Sequence, residues 1–287
     1  DDVIYSVNLD TGGRSLFTQV KDDDCSNHAD GTILDSLNNK LYAFCNTDYK
    51  YLLEYNLISG ELEKSYLLPT RQVVKAMALD RNSGRNQIVF ATHIDADNIW
   101  EEENGGIYTF ELDSKIFSTI STNLNQQIPI AEAMHIAVNG DQYLLTTGGI
   151  IKGPEYRKII SVDALTGDRR VLSSNAVGSG ELFRGLLPDG LSPQLMGIYV
   201  QPQFNRILVV EYGGKIFSID LSTGNRSVFK LFSYGLQVLE DFAYTQQIEP
   251  DESSNIAYID DNRRNAILIL DLETLEKVIL SKSKNNF

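Results

Sequence analysis

A pattern of about fifty residues recurs along the chain and constrains its fold more than any other feature. Each copy holds an apolar strand, an acidic or amide residue, a short turn that often contains Thr-Gly, and a second strand. The residues that align the copies are Asn8, Asn56, Glu111, Asp163, Asp220 and Asp271. Their spacings are 48, 55, 52, 57 and 51 residues by subtraction, which is the range of a four-stranded propeller blade with loops of variable length.

The local chemistry of each copy predicts a β-hairpin. Apolar and polar residues alternate along Phe217–Asp220, as a half-buried strand requires. An Asp or Asn side chain can accept a hydrogen bond from the backbone two residues on, which begins the turn. The glycine that follows, such as Gly224, supplies the positive φ that the turn needs.

A second unit lies between the copies: a short apolar strand, a turn, and another strand, as in His135–Val138 with Gln142–Leu145. Each blade therefore combines two inner and two outer strands. We predict an all-β fold, a single β-propeller over residues 1–287 with six blades of four antiparallel strands. The predicted blades are 1–18 (partial), 31–67, 73–121, 131–173, 195–231 and 239–281. Because no inner pair precedes the first copy, either the first blade is incomplete or the chain is a domain of a larger surface protein.

The outer hairpin carries the motif Asp-x-x-Thr-Gly-x-Arg at Asp163–Arg169 and again at Asp220–Arg226. This blade pattern resembles the six-bladed TolB-like propellers, which include the senescence-marker-protein and gluconolactonase-like, NHL and YWTD families. The resemblance covers nearly the whole chain, and it is one of repeat rather than of active site. It implies a six-bladed disc and an extracytoplasmic (periplasmic or secreted) location. Gluconolactonase-like members bind a divalent metal through Glu, Asn and Asp, but this chain lacks their Glu-Gly-Pro start and a matching Asn.

The net charge of the chain limits the classes of partner that we expect. The sequence has 39 acidic and 25 basic residues, a formal net charge of −14. Such a surface repels phosphate backbones, so we expect no nucleic-acid partner and instead a small-molecule or protein ligand, with cationic groups or metal ions favoured. No apolar run reaches the roughly 18 residues that a membrane span needs.

Functional residues on a propeller usually lie on the loops that join strands two and three and on the connections between blades. The candidate ligand-binding residues are Trp100, His93, Glu132, Glu240 and Asp241. An exposed Trp beside carboxylates would suit a sugar ring or a cationic ligand, or it could anchor its own loop. The carboxylates at the start of inner strands could hold a metal or simply line a water-filled channel.

Asp95 and Asp97 are candidate metal ligands in the most acidic loop. Alternating carboxylates with carbonyls nearby suit a hard cation, which makes Ca2+ the possible cofactor. The stretch does not match the twelve-residue calcium loop, and a solvated acidic rim is the alternative.

Cys25 and Cys45 are the two cysteines, and they can form one disulfide or remain two thiols. The predicted strands bring both to the same edge of one blade, so we predict a Cys25–Cys45 disulfide, which would indicate an oxidising compartment. The three histidines lack zinc-site spacing, and an ordinary hydrogen-bonded role is expected for His135. The glycine-rich segment 174–194 is predicted to be lid-like.

Two functions remain open from the sequence. The first is an extracytoplasmic binding or interaction protein with an acidic, loop-rich ligand-binding face. The second is a metal-dependent hydrolase or lactonase with its site at the mouth of the central channel.

Overall fold

The computed structural model describes thirteen stretches of the chain, 3–20, 29–46, 50–68, 73–93, 105–130, 133–148, 157–183, 194–211, 215–231, 248–251, 255–261, 266–274 and 276–282. The strands are β1 (Val3–Val7), β2 (Arg14–Gln19), β3 (Ala29–Asp35), β4 (Lys40–Asn46), β5 (Lys50–Asn56), β6 (Leu62–Leu67), β7 (Val73–Asp80), β8 (Gln87–His93), β9 (Gly106–Glu111), β10 (Phe117–Thr122), β11 (Ala133–Asn139), β12 (Gln142–Thr147), β13 (Lys158–Asp163), β14 (Arg169–Ser174), β15 (Leu195–Gln201), β16 (Arg206–Glu211), β17 (Lys215–Asp220), β18 (Arg226–Leu231), β19 (Ile248–Asp251), β20 (Ile256–Asp261), β21 (Ala266–Asp271) and β22 (Lys277–Lys282). Short 3-10 turns lie at Asn123–Asn125 and Pro202–Phe204.

These strands form antiparallel sheets in simple chain order. The four-stranded sheets are β3–β6, β7–β10, β11–β14, β15–β18 and β19–β22, and β1 pairs with β2 alone among the described residues. The predicted all-β propeller class is confirmed. The last sheet begins at Ile248, and residues 239–247 of its predicted range lie outside the described stretches. No helix in the described part of the chain is long and apolar enough to span a bilayer.

The chain divides into two compact units. The first comprises residues 1–6, 14–143 and 162–169, and the second comprises residues 7–13, 144–161 and 170–287. The first unit has an aromatic core in which the ring centroid of Phe90 lies 5.3 Å from that of Phe44 and 5.6 Å from that of Tyr108. In the second unit, buried aliphatic residues of β16 and β17 pack against those of β20 and β21.

The turns of the repeat have the predicted hydrogen bonds. The Thr223 hydroxyl donates to the Asp220 carboxylate (2.8 Å) and, together with backbone hydrogen bonds, lowers the pKa of that carboxyl. The backbone donors are the N–H groups of Ser222 (3.0 Å) and Thr223 (2.7 Å). The same pair of bonds forms at Asn8, Asn56, Asp163 and Asp271. These side chains therefore begin their turns, as the sequence pattern indicated.

The turn glycine has a second role that the sequence did not reveal. A Cβ added at Gly224 would lie 1.9 Å from the Leu172 carbonyl oxygen, on the fourth strand of the preceding sheet. A Cβ at Gly167 would lie 2.2 Å from the Ile120 carbonyl oxygen. Glycine is required at these turns because one backbone passes directly against another, and not only because φ is positive.

The arginine two residues later completes this contact. The buried Arg226 guanidinium donates hydrogen bonds to the Ser173 hydroxyl (2.8 Å) and to the carbonyl groups of Ser174 (2.6 Å), Val177 (2.8 Å) and Glu181 (2.8 Å). Arg169 makes the equivalent contacts with the end of β10. The Asp-x-x-Thr-Gly-x-Arg motif thus joins each of these hairpins to the neighbouring outer strand.

Candidate functional site

The two ends of the sheets differ in how their strands are connected. The strand one-to-two turns are short where they are described, as at Gly140–Asp141 between β11 and β12. The connections from strand two to strand three, and from each sheet to the next, include the longest segments of the chain, such as 94–105 and 232–247. We call the sheet ends that carry these long connections the loop end.

At the opposite end of the sheets in the first unit, charged side chains form ion pairs. The fully buried Asp80 carboxylate accepts hydrogen bonds from Arg85 (2.6 Å), the Tyr143 hydroxyl (2.8 Å) and Gln87 (3.2 Å). Arg85 also donates to Asp141 at 2.7 Å. These donors lower the pKa of Asp80 although burial alone would raise it. The Asp80 carboxylate is thus bonded within the protein, and this network supports the fold of the first unit.

Charged side chains are also buried at the loop end of the second unit. Glu211, the last residue of β16, is fully buried, as is Arg157, which precedes β13. Lys215, the first residue of β17, is only 6% exposed and donates to the Glu181 carboxylate at 2.8 Å. Buried charges lie at both ends of the sheets, so it is the long connections, which usually carry functional residues, that make the loop end of each unit the candidate site.

His135 is the most unusual polar residue of the first unit. It is the third residue of β11 and therefore lies near the loop end of a first strand. Its Nδ1 atom is buried and has no hydrogen-bond partner among the described residues, while the residue as a whole remains partly exposed. Desolvation lowers the pKa of the imidazole to about 4, so the ring is neutral at physiological pH. The Nδ1 atom of His135 therefore lacks the hydrogen bond that was expected for this residue.

The position of His135 holds no polar side chain in three of the other four first strands. It lies four residues before the last residue of its strand (139 − 135 = 4). The same position holds Gly31 in β3, Ala76 in β7 and Gly197 in β15. A sequence search for polar residues at this position would have identified His135 together with Gln247, which lies outside the described stretches.

The predicted ligand-binding residues fall mainly outside the described stretches. Those residues are Trp100, Glu132, Glu240 and Asp241. His93 is the last residue of β8, where its backbone is opposite Val73, and its side chain is not described. The roles of these residues remain predictions, although His93 does lie at the loop end.

The metal and disulfide predictions also remain predictions, because residues on which they depend are not described. Asp95, Asp97 and Cys25 lie outside the described stretches. Cys45 is fully buried in β4, opposite Ala29. Among the described residues, no group of three or more His, Cys, Asp or Glu side chains is placed to hold a metal ion.

The predicted lid is wrong for its first half. Phe183 is 1% exposed, and its backbone N–H and carbonyl bond the Asn175 side chain at 2.9 and 3.2 Å. Gly180 forms a parallel bridge with Arg226, and Ser179 donates to Asn225 at 2.8 Å. Arg226 anchors residues 174–183 because it supplies donors to several of their carbonyl groups, whereas residues 184–193 lie outside the described stretches.

Comparison with known proteins gives structural similarity without sequence similarity. No protein-family model matches the chain, and no curated protein matches it significantly in sequence. An oligogalacturonate lyase solved in complex with manganese superposes with a TM-score of 0.59 at 11% identity, over 98% of this chain and 71% of the lyase. A Bacteroides thetaiotaomicron protein of unknown function gives 0.56 at 11% identity, over 84% of this chain and 55% of that one.

A third similar structure is the extracellular domain of a putative hybrid two-component system from B. thetaiotaomicron. Its TM-score is 0.54 at 13% identity, over 90% of this chain and 28% of that chain, so this chain spans little more than a quarter of it. At these identities the similarities establish the fold alone. The chain is similar to propeller proteins that include a metal-bound lyase and an extracellular domain.

Proposed function

We propose that this chain is an extracytoplasmic binding protein of the six-bladed, TolB-like propeller type, and that its ligand contacts the loop end. The observation that carries the proposal is the unpartnered, buried Nδ1 of His135. The extracellular domain among the similar structures supports the location. Five four-stranded sheets, together with the β1–β2 hairpin that bears the same turn, support the count of six blades.

An unsatisfied buried polar atom costs roughly 1–3 kcal/mol of stability. In the free protein the Nδ1 atom of His135 makes no hydrogen bond within the described residues. A ligand that hydrogen-bonds the imidazole recovers this free energy on binding, so His135 favours the bound state over the free one. This is the behaviour of a binding residue.

The net charge of the protein favours ligands that carry no negative charge. A net charge of −14 repels anions, and a neutral imidazole adds no compensating positive charge. We therefore propose a neutral or cationic small molecule. Trp100 suits the same ligands, since an indole face binds sugar rings and cations. An acidic sugar, the ligand class suggested by the name of the similar lyase, is disfavoured.

The test compares His135→Phe with Met134→Leu, a volume-conserving change at the neighbouring position of the strand. Unfolding free energies are measured in urea, and thermal shifts are measured with a panel of neutral sugars and quaternary amines. We expect His135→Phe to be as stable as the wild type or up to about 3 kcal/mol more stable, because an unsatisfied group has been removed. We also expect it to lose a thermal shift that Met134→Leu retains.

Two results would reject the proposal. A His135→Phe variant destabilised by more than about 1 kcal/mol would mean that the imidazole is a structural group. A panel compound that shifts the wild type and His135→Phe equally would place the ligand elsewhere.

A metal-dependent hydrolase or lactonase is the second candidate. A neutral imidazole is the form of histidine that coordinates metal ions, and the similar lyase was solved with manganese. Asp95 and Asp97 remain the proposed ligands for Ca2+. Calorimetric titration of metal-stripped protein with Mn2+ and with Ca2+ tests both ions, with Asp95→Asn/Asp97→Asn as the calcium variant. Absence of heat at millimolar metal would remove this candidate.

A further inference from the structure

Arg206 of the second unit holds its charged group between two aromatic rings. It is the first residue of β16 and follows the turn from β15, so it lies at the end of its sheet opposite the loop end. The central carbon of the guanidinium, Cζ, is 4.8 Å from the ring centroid of Phe204 and 4.7 Å from that of Phe229. Its Nε donates to Oε1 of the buried Gln201 at 2.7 Å. The two rings and this hydrogen bond fix the plane and the direction of the guanidinium.

The two terminal nitrogen atoms of Arg206 have no acceptor among the described residues, where its side chain makes the Nε bond alone. Arg226 provides the contrast, because it stacks on the ring of Phe183 and also donates four hydrogen bonds. Arg206 is partly exposed, and neither of its terminal nitrogen atoms is a buried atom without a partner. Their N–H groups are therefore accessible to a ligand.

No carboxylate in the described stretches neutralises Arg206. Asp220 lies opposite it in β17, but the Asp220 oxygens accept hydrogen bonds from Thr223 in its own turn (2.7 Å) and from the Asn205 amide (3.1 Å). Burial lowers the pKa of Arg206, and no carboxylate opposes that shift. At Arg85 burial acts in the same direction, but hydrogen bonds to two carboxylates raise the pKa. Arg206 thus has a fixed, partly desolvated positive charge that lacks a counter-ion within the described residues.

The planar fork of a guanidinium matches a carboxylate, whose two oxygens can accept two parallel N–H···O bonds. We propose that Arg206, Phe204 and Phe229 form a binding site for a carboxylate group, which accepts hydrogen bonds from the terminal nitrogen atoms of Arg206 while the rings shield the ion pair from water. Phe204 is 58% exposed and offers an apolar surface beside the guanidinium. A carboxylate attached to an aromatic or apolar group therefore fits this site best.

The net charge of −14 is compatible with an anion at this position. Exposed charges farther away than about 8 Å are largely screened at physiological ionic strength. An ion pair in direct contact between apolar rings is screened much less. The repulsion that remains grows with the charge of the ligand, which favours a carboxylate over a phosphate dianion.

The test titrates the 287-residue chain with sodium benzoate and follows the NMR signals of the Arg206 Nε–H group and of the backbone amides of residues 203–207. We expect a saturable shift with a millimolar Kd. Benzamide, the neutral counterpart of benzoate, and sodium chloride at equal ionic strength should not produce it.

Two variants separate the fork from the charge. Arg206→Lys keeps the charge but cannot form the bidentate pair, so benzoate should bind at least about fivefold more weakly. Phe204→Leu changes a largely exposed residue, which preserves the fold, and should also weaken binding because one ring is lost. Arg170→Gln removes an exposed arginine and gives a charge-matched control for Arg206→Gln; the control should bind benzoate like the wild type, whereas Arg206→Gln should not bind it.

A second arm identifies the source of the carboxylate. It compares a short apolar peptide that has a free carboxyl terminus with the same peptide amidated. Tighter binding of the free peptide than of benzoate assigns the site to a peptide terminus, and weaker binding assigns it to a small-molecule carboxylate; either result supports the inference.

Three outcomes overturn the inference, and none of them bears on the ligand proposed for His135 at the loop end. The first is the absence of a saturable shift with benzoate. The second is an equal shift with benzamide or chloride. The third is wild-type affinity for benzoate in both Arg206→Lys and Phe204→Leu.

Discussion

Gly224→Ala tests whether the repeated glycine is required by its dihedral angle or by the neighbouring strand. Gly224 has φ +70, and Gly140 has φ +58 with no atom within 4 Å of an added Cβ. Alanine at either position bears the left-handed backbone penalty of about 1–2 kcal/mol. Only at Gly224 does the new methyl group meet backbone, at 1.9 Å from the Leu172 carbonyl oxygen. Gly140→Ala is therefore the matched control.

The extra loss of stability at Gly224 arises because the hairpin would have to move away from the neighbouring strand. Relief of the clash needs a displacement of more than about 1 Å, since ordinary contacts begin near 3.0–3.4 Å. Arg226, two residues away, would then lose the geometry of its four hydrogen bonds, each worth about 1.5–3 kcal/mol because the donor is charged. Partial loss gives a total of about 3–5 kcal/mol for Gly224→Ala, against about 1–2 kcal/mol for Gly140→Ala.

Urea unfolding followed by far-ultraviolet circular dichroism measures both variants, with Gly167→Ala as a repeat of the experiment at a second hairpin. A Cβ at Gly167 would lie 2.2 Å from the Ile120 carbonyl oxygen, so its cost should resemble that of Gly224→Ala. If Gly224→Ala and Gly140→Ala agree within about 0.5 kcal/mol, the close approach does not contribute and the turn dihedral alone explains the glycine.

Three further predictions each concern one side chain or one bond. Burial lowers the pKa of His135 to about 4 in the folded protein, so between pH 6.5 and 4 the unfolded chain binds a proton that the folded protein does not. As the pH falls through this window, the wild type should lose up to about 3 kcal/mol of unfolding free energy relative to His135→Phe, and parallel pH profiles would contradict this. Arg226→Lys should cost about 2–4 kcal/mol in urea unfolding, because an ammonium group cannot reach the same spread of acceptors; an unchanged midpoint would mean that these bonds add nothing. The Cys25–Cys45 bond would close a loop of about 20 residues and add about 3 kcal/mol; alkylation without reductant should leave the mass unchanged, and two labelled thiols would disprove the pairing.

The hairpins could be predicted from the sequence because their determinants are close together in the chain. At Asp220, the carboxylate, its two N–H donors and Gly224 lie within five residues, so composition and spacing alone indicate the turn. The alternation of apolar residues is likewise a local property of a strand. For the same reason the fifty-residue recurrence predicted the propeller class.

The candidate site could not be predicted in the same way. His135 reads as an ordinary strand histidine, because only the packed neighbours decide whether Nδ1 finds a partner. Segment 174–183 reads as a flexible glycine-rich loop, because its anchor, Arg226, lies more than forty residues further along the chain. Both features depend on contacts between distant parts of the sequence.

Local sequence thus determined the strands, the turns and their repetition, since each depends on hydrogen bonds and side-chain alternation over a few residues. Tertiary structure alone decided which backbone passes against Gly224, which polar atom remains unpaired at His135, and which apolar residues, such as Leu9, remain uncovered. These properties depend on how whole sheets pack, and the free energy of packing is shared among residues that no local pattern connects.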